Sequence, residues 1–249
     1  MTHLAAYRVL VIAAGVLALE VLCSAGIIDR LTMPPPHRIA RDLAVMLASG
    51  AMNAAIAKTL SNASIALGLA IAVGIATGVA VHARHAVRET LEPLFATYYA
   101  VPVFAFYPLL IILFGLGDAP QIAIGFMLGV VAMIVNTLNG LDRVPAVLKK
   151  TARMARLGPL ATAVRVTLPY ASPYVLTGVK FAVAYALIGV IGAEFIMSRG
   201  GMGYEISFAY TNFDNATMYP LIVLILLVAI AVNAALSGWE RVLLRRRGQ

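Results

Sequence analysis

Three ionisable side chains lie inside long apolar stretches of the sequence: Glu20, Lys180 and Glu194. An ionised group at the centre of a lipid bilayer costs roughly 2.5–3.5 kcal/mol on insertion scales, so each one needs a physical reason. A relay of such groups can carry protons, but these three are scattered along the chain. Glu194 is a candidate for lining or gating a solute pathway. A carboxylate that hydrogen-bonds a neighbouring helix end or loop is an equally good interpretation.

Other reactive groups are sparse. The sequence has no Gly-x-x-x-x-Gly-Lys-Ser/Thr phosphate loop and no hydrolase, kinase or zinc motif. His82 and His85, three residues apart, are only a weak signal for a metal ion. We therefore predict no metal site, no directly bound cofactor and no enzymatic activity in this chain, although a membrane-anchored enzyme is a remote alternative.

The composition indicates a membrane protein. Of 249 residues, 61% are hydrophobic and 12% are charged, and the mean hydropathy is +0.91. A soluble domain has roughly 25% charged residues, so this chain cannot build a polar shell. Long continuous apolar runs favour helices over the alternating strands of a barrel. We predict an all-α membrane protein with a single transmembrane domain over residues 1–249.

Six segments are long and apolar enough to cross about 30 Å of hydrocarbon as helices. They are residues 7–28, 59–81, 98–116, 119–138, 174–197 and 219–239. Short amphipathic helices are expected at 39–47 and 204–210. We find no internal repeat with paired broken helices, which argues against a secondary transporter built on inverted repeats.

Basic residues predict the orientation of these helices. With the N-terminus in the cytoplasm, thirteen of the 19 Lys and Arg residues lie inside, including Arg245–Arg247, and five lie outside; Lys180 is in a span. The positive-inside rule then places both termini in the cytoplasm. The net charge of +8 comes from Lys and Arg residues beside the apolar segments, where they set the orientation in the lipid bilayer. We therefore predict no nucleic-acid partner.

The loop between the fourth and fifth predicted spans, residues 140–173, is a candidate contact for a soluble motor. Gly158 and Pro159 should break one basic helix into two short ones. Pro169 and Pro173 are expected to end the second helix before the next span begins. A rigid basic element of this kind is suited to receive mechanical force from a cytosolic motor protein. The alternative is an ordinary basic loop that obeys the positive-inside rule.

This loop resembles the "EAA" coupling loop of binding-protein-dependent ABC transporter permeases, whose pattern ends in an aliphatic residue, any residue, Leu and Pro. Residues 166–169, Val-Thr-Leu-Pro, match that ending. Counting back without gaps places the family's Glu-Ala-Ala on Lys150-Thr151-Ala152 and its Gly on Arg156, so that Glu and that Gly are missing. A gapped alignment would use Gly158 and needs a two-residue deletion. We prefer the ungapped alignment.

Three further segments are similar to the nitrate, taurine and sulfonate branch of that family. Residues 114–118 read Phe-Gly-Leu-Gly-Asp, after a third span that contains Pro102 and Pro108. Residues 193–195, followed by Gly-Met-Gly-Tyr at 201–204, resemble an Ala-Glu…Gly-Leu-Gly-Tyr signature. Residues 31–36 match a proline-rich entry before the second span. The similarity covers residues 30–245.

The resemblance implies a type I ABC importer permease fold with six transmembrane helices and coupling helices between helices 4 and 5. It implies a bacterial inner-membrane complex of two permease chains (a homodimer), two cytosolic ATP-binding subunits that use ATP and Mg²⁺, and a periplasmic solute-binding protein. The residues implied in coupling to the ATPase are Lys150, Thr151, Ala152, Arg153, Arg156, Gly158, Arg165, Leu168 and Pro169.

The solute is the least constrained expectation. The resemblance favours a sulfonate, nitrate or another small organic anion, with a pyrimidine precursor of thiamine as an alternative in the same class. A self-contained carrier or channel is the alternative outside it. Tyr99, Pro102 and Phe106 join Glu194 as pathway candidates, although aromatic residues are also common at membrane interfaces.

Two pairs of glycines have the spacing of helix-packing positions. Gly74 and Gly78 lie in the second predicted span, and Gly125 and Gly129 lie in the fourth. Small residues four apart let two helix backbones approach closely. They predict a helix bundle without indicating a function.

Overall fold

The computed structural model describes residues 2–29 and 32–246. Leu31 of the proline-rich segment, Arg247 of the C-terminal run and Arg30, one of the five basic residues predicted to lie outside, are not among the described residues. All regular secondary structure in this part of the chain is helical. The longer helices are α1 (Thr2–Ser24), α2 (Pro36–Ser49), α3 (Asn53–His82), α4 (His85–Tyr98), α5 (Tyr107–Phe114), α6 (Asp118–Asp142), α7 (Ala146–Met154), α9 (Leu168–Met197), α10 (Met202–Thr211) and α11 (Asn215–Arg246). The short α8 (Pro159–Thr162) lies between α7 and α9.

Helices α3, α6 and α9 form the centre of the bundle. More than half of the apolar window of α6 is buried by other helices (56%), against 11% for α11, which leaves α11 largely exposed in the single chain. The predicted packing glycines lie at these central contacts. A Cβ added to Gly78 would collide with Thr137, and one added to Gly125 would collide with Val190. Gly74 lies against Met133 and Gly129 against Ala182.

Four helices in the described residues are long and apolar enough to cross a membrane: Asn53–His82, Asp118–Asp142, Pro159–Met197 and Asn215–Gly238. They correspond to the predicted spans at 59–81, 119–138, 174–197 and 219–239. The other two predicted spans correspond to shorter apolar helices, Leu10–Ser24 and Val103–Phe114.

The third predicted span, 98–116, is not a continuous helix. The helix α4 ends at Tyr98, a 3₁₀ turn covers Val103–Phe106, and α5 starts at Tyr107. Pro102 precedes the turn with φ −73° and ψ 83°, outside helical geometry. Proline lacks an N–H and restricts the residue before it, so a straight helix through Pro102 is unfavourable. Residues 99–102 therefore form a non-helical break.

The fifth helix begins earlier than predicted, and the expectation that Pro169 and Pro173 end the preceding helix is wrong. The chain is helical from Pro159 to Met197, with a π-helical turn at Ala163–Thr167. A π turn widens the helix just before Pro169, and Thr167 Oγ1 donates a hydrogen bond to the Ala163 carbonyl (3.1 Å). Such local adjustments make proline tolerable in membrane helices.

The two ends of the bundle carry the features of interest. We call the end at α7 and α8 the α7 end, and the opposite end, where α9 passes into α10, the α10 end. At the α10 end, the amphipathic helix α2 buries Leu43 against Met202 of α10 and Leu221 of α11. The helices α2 and α10 contain the two predicted amphipathic segments at 39–47 and 204–210.

Candidate functional site

Glu194 is fully buried near the last turn of α9, at the α10 end. Its Oε2 accepts hydrogen bonds from Thr59 Oγ1 (2.7 Å) and from the backbone N–H of Gly203 (3.1 Å). Thr59 Oγ1 also accepts a hydrogen bond from the N–H of Met202 (2.8 Å). Free N–H groups and the positive end of the helix dipole at the start of α10 favour a carboxylate there. Glu194 and Thr59 thus cap α10 and join it to α3 and α9.

Two glycines allow this close approach. A Cβ on Gly201 would overlap the Glu194 carboxyl group, and one on Gly203 would overlap the Ile191 carbonyl oxygen. Gly201 also has φ +104°, a conformation that side chains disfavour. The acid and the two glycines of the Ala-Glu…Gly-Met-Gly segment are therefore parts of one structural unit.

Further polar contacts hold the turn between α9 and α10. Gln121 Nε2 donates to Ser198 Oγ (2.8 Å), and Asn62 Nδ2 donates to Gln121 Oε1 (3.1 Å). Tyr107 donates its hydroxyl proton to the Met197 carbonyl (2.9 Å). The sequence analysis missed these residues. Asn62 and Gln121, polar amides in apolar helices, were the available signal.

The geometry at Glu194 matches the second interpretation given above, a carboxylate bound to a neighbouring helix end. Tyr99, another pathway candidate, contacts Tyr185 at 5.9 Å between ring centroids. Tyr185 precedes Glu194 by nine residues, about 13 Å along the helix axis. The structure therefore does not bring Glu194 into one group with Tyr99.

The break at residues 99–102 is the better pathway candidate. Tyr99, Pro102 and Phe106 are all exposed in the single chain, and the neighbouring Tyr98 donates its hydroxyl proton to the Met127 carbonyl (3.0 Å). Non-helical backbone at membrane depth is tolerated only where protein buries it or where it lines a water-filled cavity. The exposed aromatic rings beside this break keep Tyr99, Pro102 and Phe106 as pathway candidates.

At the α7 end, the helix α7 ends in a Schellman motif. The N–H of Leu157 donates to the Ala152 carbonyl (3.0 Å), and the N–H of Arg156 donates to the Arg153 carbonyl (2.9 Å). Arg156 adopts φ +52°, the left-handed conformation that glycine favours at this position. Gly158, by contrast, is extended (φ −66°, ψ 166°) and has open space at its Cβ position. This geometry favours the ungapped alignment of the loop.

Replacing Arg156 by glycine is expected to raise the free energy of unfolding by about 0.5–1 kcal/mol, because relief of left-handed strain outweighs the entropy cost of glycine. Arg153→Gly is the matched control, since Arg153 lies in the last helical turn, where glycine costs about 1 kcal/mol. Thermal unfolding of the two purified variants, followed by circular dichroism, should shift in opposite directions. Equal shifts would contradict the assigned motif.

Residues 146–165, which we call the α7–α8 element, present a mixed basic and apolar surface. Ala152 faces inward and is 2% exposed. Met154 and Leu160 are 84% and 75% exposed. The exposed polar residues are Lys150, Thr151, Arg153, Arg156 and Arg165; after the element, Leu168 is half-buried and Pro169 is exposed.

A cluster of four charged or titratable side chains anchors the α7–α8 element. Arg88 of α4 binds both carboxylate oxygens of Asp142 at the end of α6 (2.6 Å from Nη2 to Oδ2). His82, the last residue of α3, lies with Nδ1 3.2 Å from Asp142 Oδ1. Lys149 Nζ of α7 lies 3.2 Å from His82 Nε2. The bonds to Asp142 raise the pKa of Arg88 above its usual value.

This cluster, which the sequence analysis missed, links α7 to three helices of the bundle. The sequence analysis counted Arg88 and Lys149 only as cytoplasmic charges and His82 only as a weak metal signal. Asp142 beside a basic loop was the available signal. A cavity of about 410 Å³ lies between α3 and the α7–α8 element, lined by His82, Lys149 and Arg153 among others. The described residues contain no cluster of three or more His, Cys, Asp or Glu side chains that could hold a metal ion.

Comparison with known proteins gives a consistent result. Residues 64–249 match the family described as "Binding-protein-dependent transport system inner membrane component". The chain is 27% identical over 179 residues to the nitrate import permease protein NrtB of Leptolyngbya laminosa, covering 72% of this chain and 64% of that protein. It is 25% identical over 220 residues to the taurine transport system permease protein TauC of Escherichia coli, covering 86% and 80%.

A solved structure shares the fold. A chain from the inward facing conformations of the MetNI methionine ABC transporter superposes with a TM-score of 0.68 at 15% identity. The match covers 77% of this chain and 95% of that chain. At this identity the likeness concerns the helical fold alone.

Proposed function

The chain belongs to the family of binding-protein-dependent transport system inner membrane components, and from this premise we propose that it forms half of the solute pathway of an ATP-driven importer. It is a multi-pass inner-membrane permease of the nitrate and taurine type. Both termini and the α7 end are proposed to face the cytoplasm, in accordance with the positive-inside rule.

The observation that carries this proposal is the α7–α8 element. It is exposed at the end of the bundle, and its anchoring cluster joins α7 to α3, α4 and α6. A force applied to such an element can reach the central helices, because Lys149 of α7 contacts His82 of α3. That is the mechanical requirement for coupling to a soluble ATPase.

The proposed complex contains two copies of this chain, two ATP-binding subunits and one solute-binding protein. ATP and Mg²⁺ are used by the ATP-binding subunits. The residues proposed to contact these subunits directly are the exposed ones of the α7–α8 element, Lys150, Arg153, Met154, Arg156 and Leu160. Ala152 and Lys149 support the element from the inside.

The proposed solute is a small anion such as nitrate or a sulfonate. Two relatives support this class by name, a nitrate import permease and a taurine permease. A third relative, 26% identical over 159 residues, is the riboflavin transport system permease protein RibX of Chloroflexus aurantiacus. A neutral heterocycle, including a thiamine pyrimidine precursor, is therefore the second candidate.

A self-contained proton-coupled carrier is disfavoured by the partners of the acidic residues. Glu194 is bound to Thr59 and to the start of α10. Glu20 is bound to the N–H of His37 (3.1 Å) and lies 2.6 Å from His37 Nδ1, at the start of α2. Each carboxylate therefore has a structural role at the start of a helix, α10 for Glu194 and α2 for Glu20.

The test is recovery of a partner from native membranes. The tagged full-length chain is expected to copurify with an ATP-binding subunit, and reconstituted solute uptake should require that subunit and ATP. Met154→Asp should reduce recovery of the subunit about tenfold, since it places a charge at an apolar contact. Phe213→Asp is the control, because Phe213 is 90% exposed at the opposite end. Uptake by the chain alone would overturn the proposal.

A further inference from the structure

We propose that the ATP-binding subunit receives the α7–α8 element in an acidic groove, with carboxylates facing Lys150 and Arg153. This inference rests on the proposed function and specifies the chemistry of the partner surface. Four observations carry it: the exposed cations, the absence of neighbouring acids, the rigidity of the element and its apolar centre.

The cations are exposed and free of acidic neighbours. Lys150, Arg153, Arg156 and Arg165 are all exposed, and within the described part of the chain none of them forms an ion pair. The sequence contains no Asp or Glu between Asp142 and Glu194. Asp142 is held by Arg88, and Glu194 lies at the far end of α9. The α7–α8 element itself therefore carries positive charge and no negative charge.

The element holds these charges in place. Ala152 is a buried residue of α7, Lys149 contacts His82, and the Schellman motif ends the helix at a defined residue. Ordering a flexible loop costs free energy on binding, and a preformed element avoids most of that cost. A partner can therefore place carboxylates at fixed positions opposite the cations.

The apolar side chains specify the shape of the partner surface. Met154 and Leu160 are exposed and lie at either side of the turn at residues 155–158. A docking interface has an apolar centre and a polar rim. The matching surface is thus a groove with an apolar floor and an acidic rim. Cations on that rim would be repelled, so this charge pattern also selects among ATP-binding subunits.

Anionic lipid headgroups are the competing occupant of a basic surface near a membrane. The observations favour a protein groove, because two strongly exposed apolar residues, Met154 (84%) and Leu160 (75%), occur within the basic element. An effect of the cations through anionic lipid depends on lipid composition, whereas binding in a protein groove does not. The experiment tests this difference.

The experiment measures retention of the ATP-binding subunit by the full-length chain in nanodiscs. With wild-type chain, retention should fall about tenfold as NaCl rises from about 50 to about 500 mM, since salt screens exposed charges. The double variant Lys150→Glu, Arg153→Glu should retain about tenfold less ATP-binding subunit already at the lower salt concentration. Lys150→Arg, Arg153→Lys keeps the charges and should behave as wild type. Arg84→Glu, an exposed cation at the same end of the bundle but outside the element, should also retain the subunit.

The outcomes separate the two proposals. If the double variant binds the subunit as wild type does, the acidic groove is wrong while the importer assignment stands. If the effect of the double variant disappears in nanodiscs of phosphatidylcholine alone, the cations serve anionic lipid and the inference is also overturned. If wild-type chain retains no ATP-binding subunit under any condition, the proposed function itself fails. Unchanged circular dichroism of the double variant establishes that it is folded.

Discussion

Replacing Gly189 by alanine is expected to destabilise the protein by roughly 2–4 kcal/mol. Gly189 of α9 lies directly against Gly125 of α6, where an added Cβ would be 2.6 Å from the Gly125 Cα and 2.9 Å from its nitrogen. Both are backbone atoms of a buried helix, so they cannot rotate aside as a side chain does. The helices α6 and α9 would have to separate, and the packing on both sides of the contact would be lost.

A matched control is available in α3. Gly68 is exposed, and no atom lies within 4 Å of its Cβ position. Gly68→Ala should leave stability unchanged or raise it slightly, because alanine is the better helix former. Thermal unfolding of both variants by circular dichroism in the same detergent provides the measurement. If Gly189→Ala melts together with Gly68→Ala, the close crossing of α6 and α9 is incorrect.

The positions of the four long apolar helices were predictable, because apolar length is a sum over about twenty residues and tolerates local errors. The predicted span 119–138 corresponds to α6, Asp118–Asp142. Proline effects were less predictable, since they depend on compensation by neighbours. Pro102 breaks its segment, whereas Pro169 and Pro173 lie inside a continuous helix that a π turn accommodates.

The site was predictable only in part. Glu194 stood out as an acid in an apolar helix, but its partner Thr59 is 135 residues away in sequence and no local pattern connects them. The ungapped loop alignment placed a glycine position on Arg156, and the structure gives that residue a left-handed backbone. Arginine has no preference for this conformation, so only the alignment pointed to it. Gly189, which is not part of a four-residue glycine spacing, was missed.

Replacing Glu194 by alanine is expected to cost roughly 3 kcal/mol or more of stability. It leaves the Gly203 N–H without its acceptor in a buried site, and Thr59 loses the acceptor for its hydroxyl proton. The start of α10 would lose the hydrogen bonds that connect it to α3 and α9, so the turn at residues 198–203 should become less ordered. Glu92→Ala serves as the control. Glu92 is an exposed carboxylate whose pair with Arg88 is worth about 0.3–0.5 kcal/mol.

Glu194→Gln distinguishes a structural role from a charge-dependent one. Both hydrogen bonds go to Oε2, and Oε1 has no hydrogen-bond partner among the described residues. A glutamine can therefore keep both donors on its carbonyl oxygen while its NH₂ group occupies the Oε1 position. That buried NH₂ lacks an acceptor, so we expect a loss of about 1–2 kcal/mol, clearly less than for alanine. Equal melting temperatures for the alanine and glutamine variants would contradict the assigned hydrogen bonds.

The glutamine variant also allows a functional measurement, ATP hydrolysis by the assembled complex, which rests on the proposed function. If Glu194 acts by holding α10, the glutamine variant in the assembled complex should keep near-wild-type ATP hydrolysis in response to the solute-loaded binding protein. If the negative charge itself gates the pathway, that variant should fold normally yet lose the response. Because the carboxylate faces Thr59 and Gly203 in a buried site and not the exposed break at residues 99–102, we expect the first result. Glu194 then acts by holding the start of α10, and the proposed solute path at residues 99–102 does not depend on its charge.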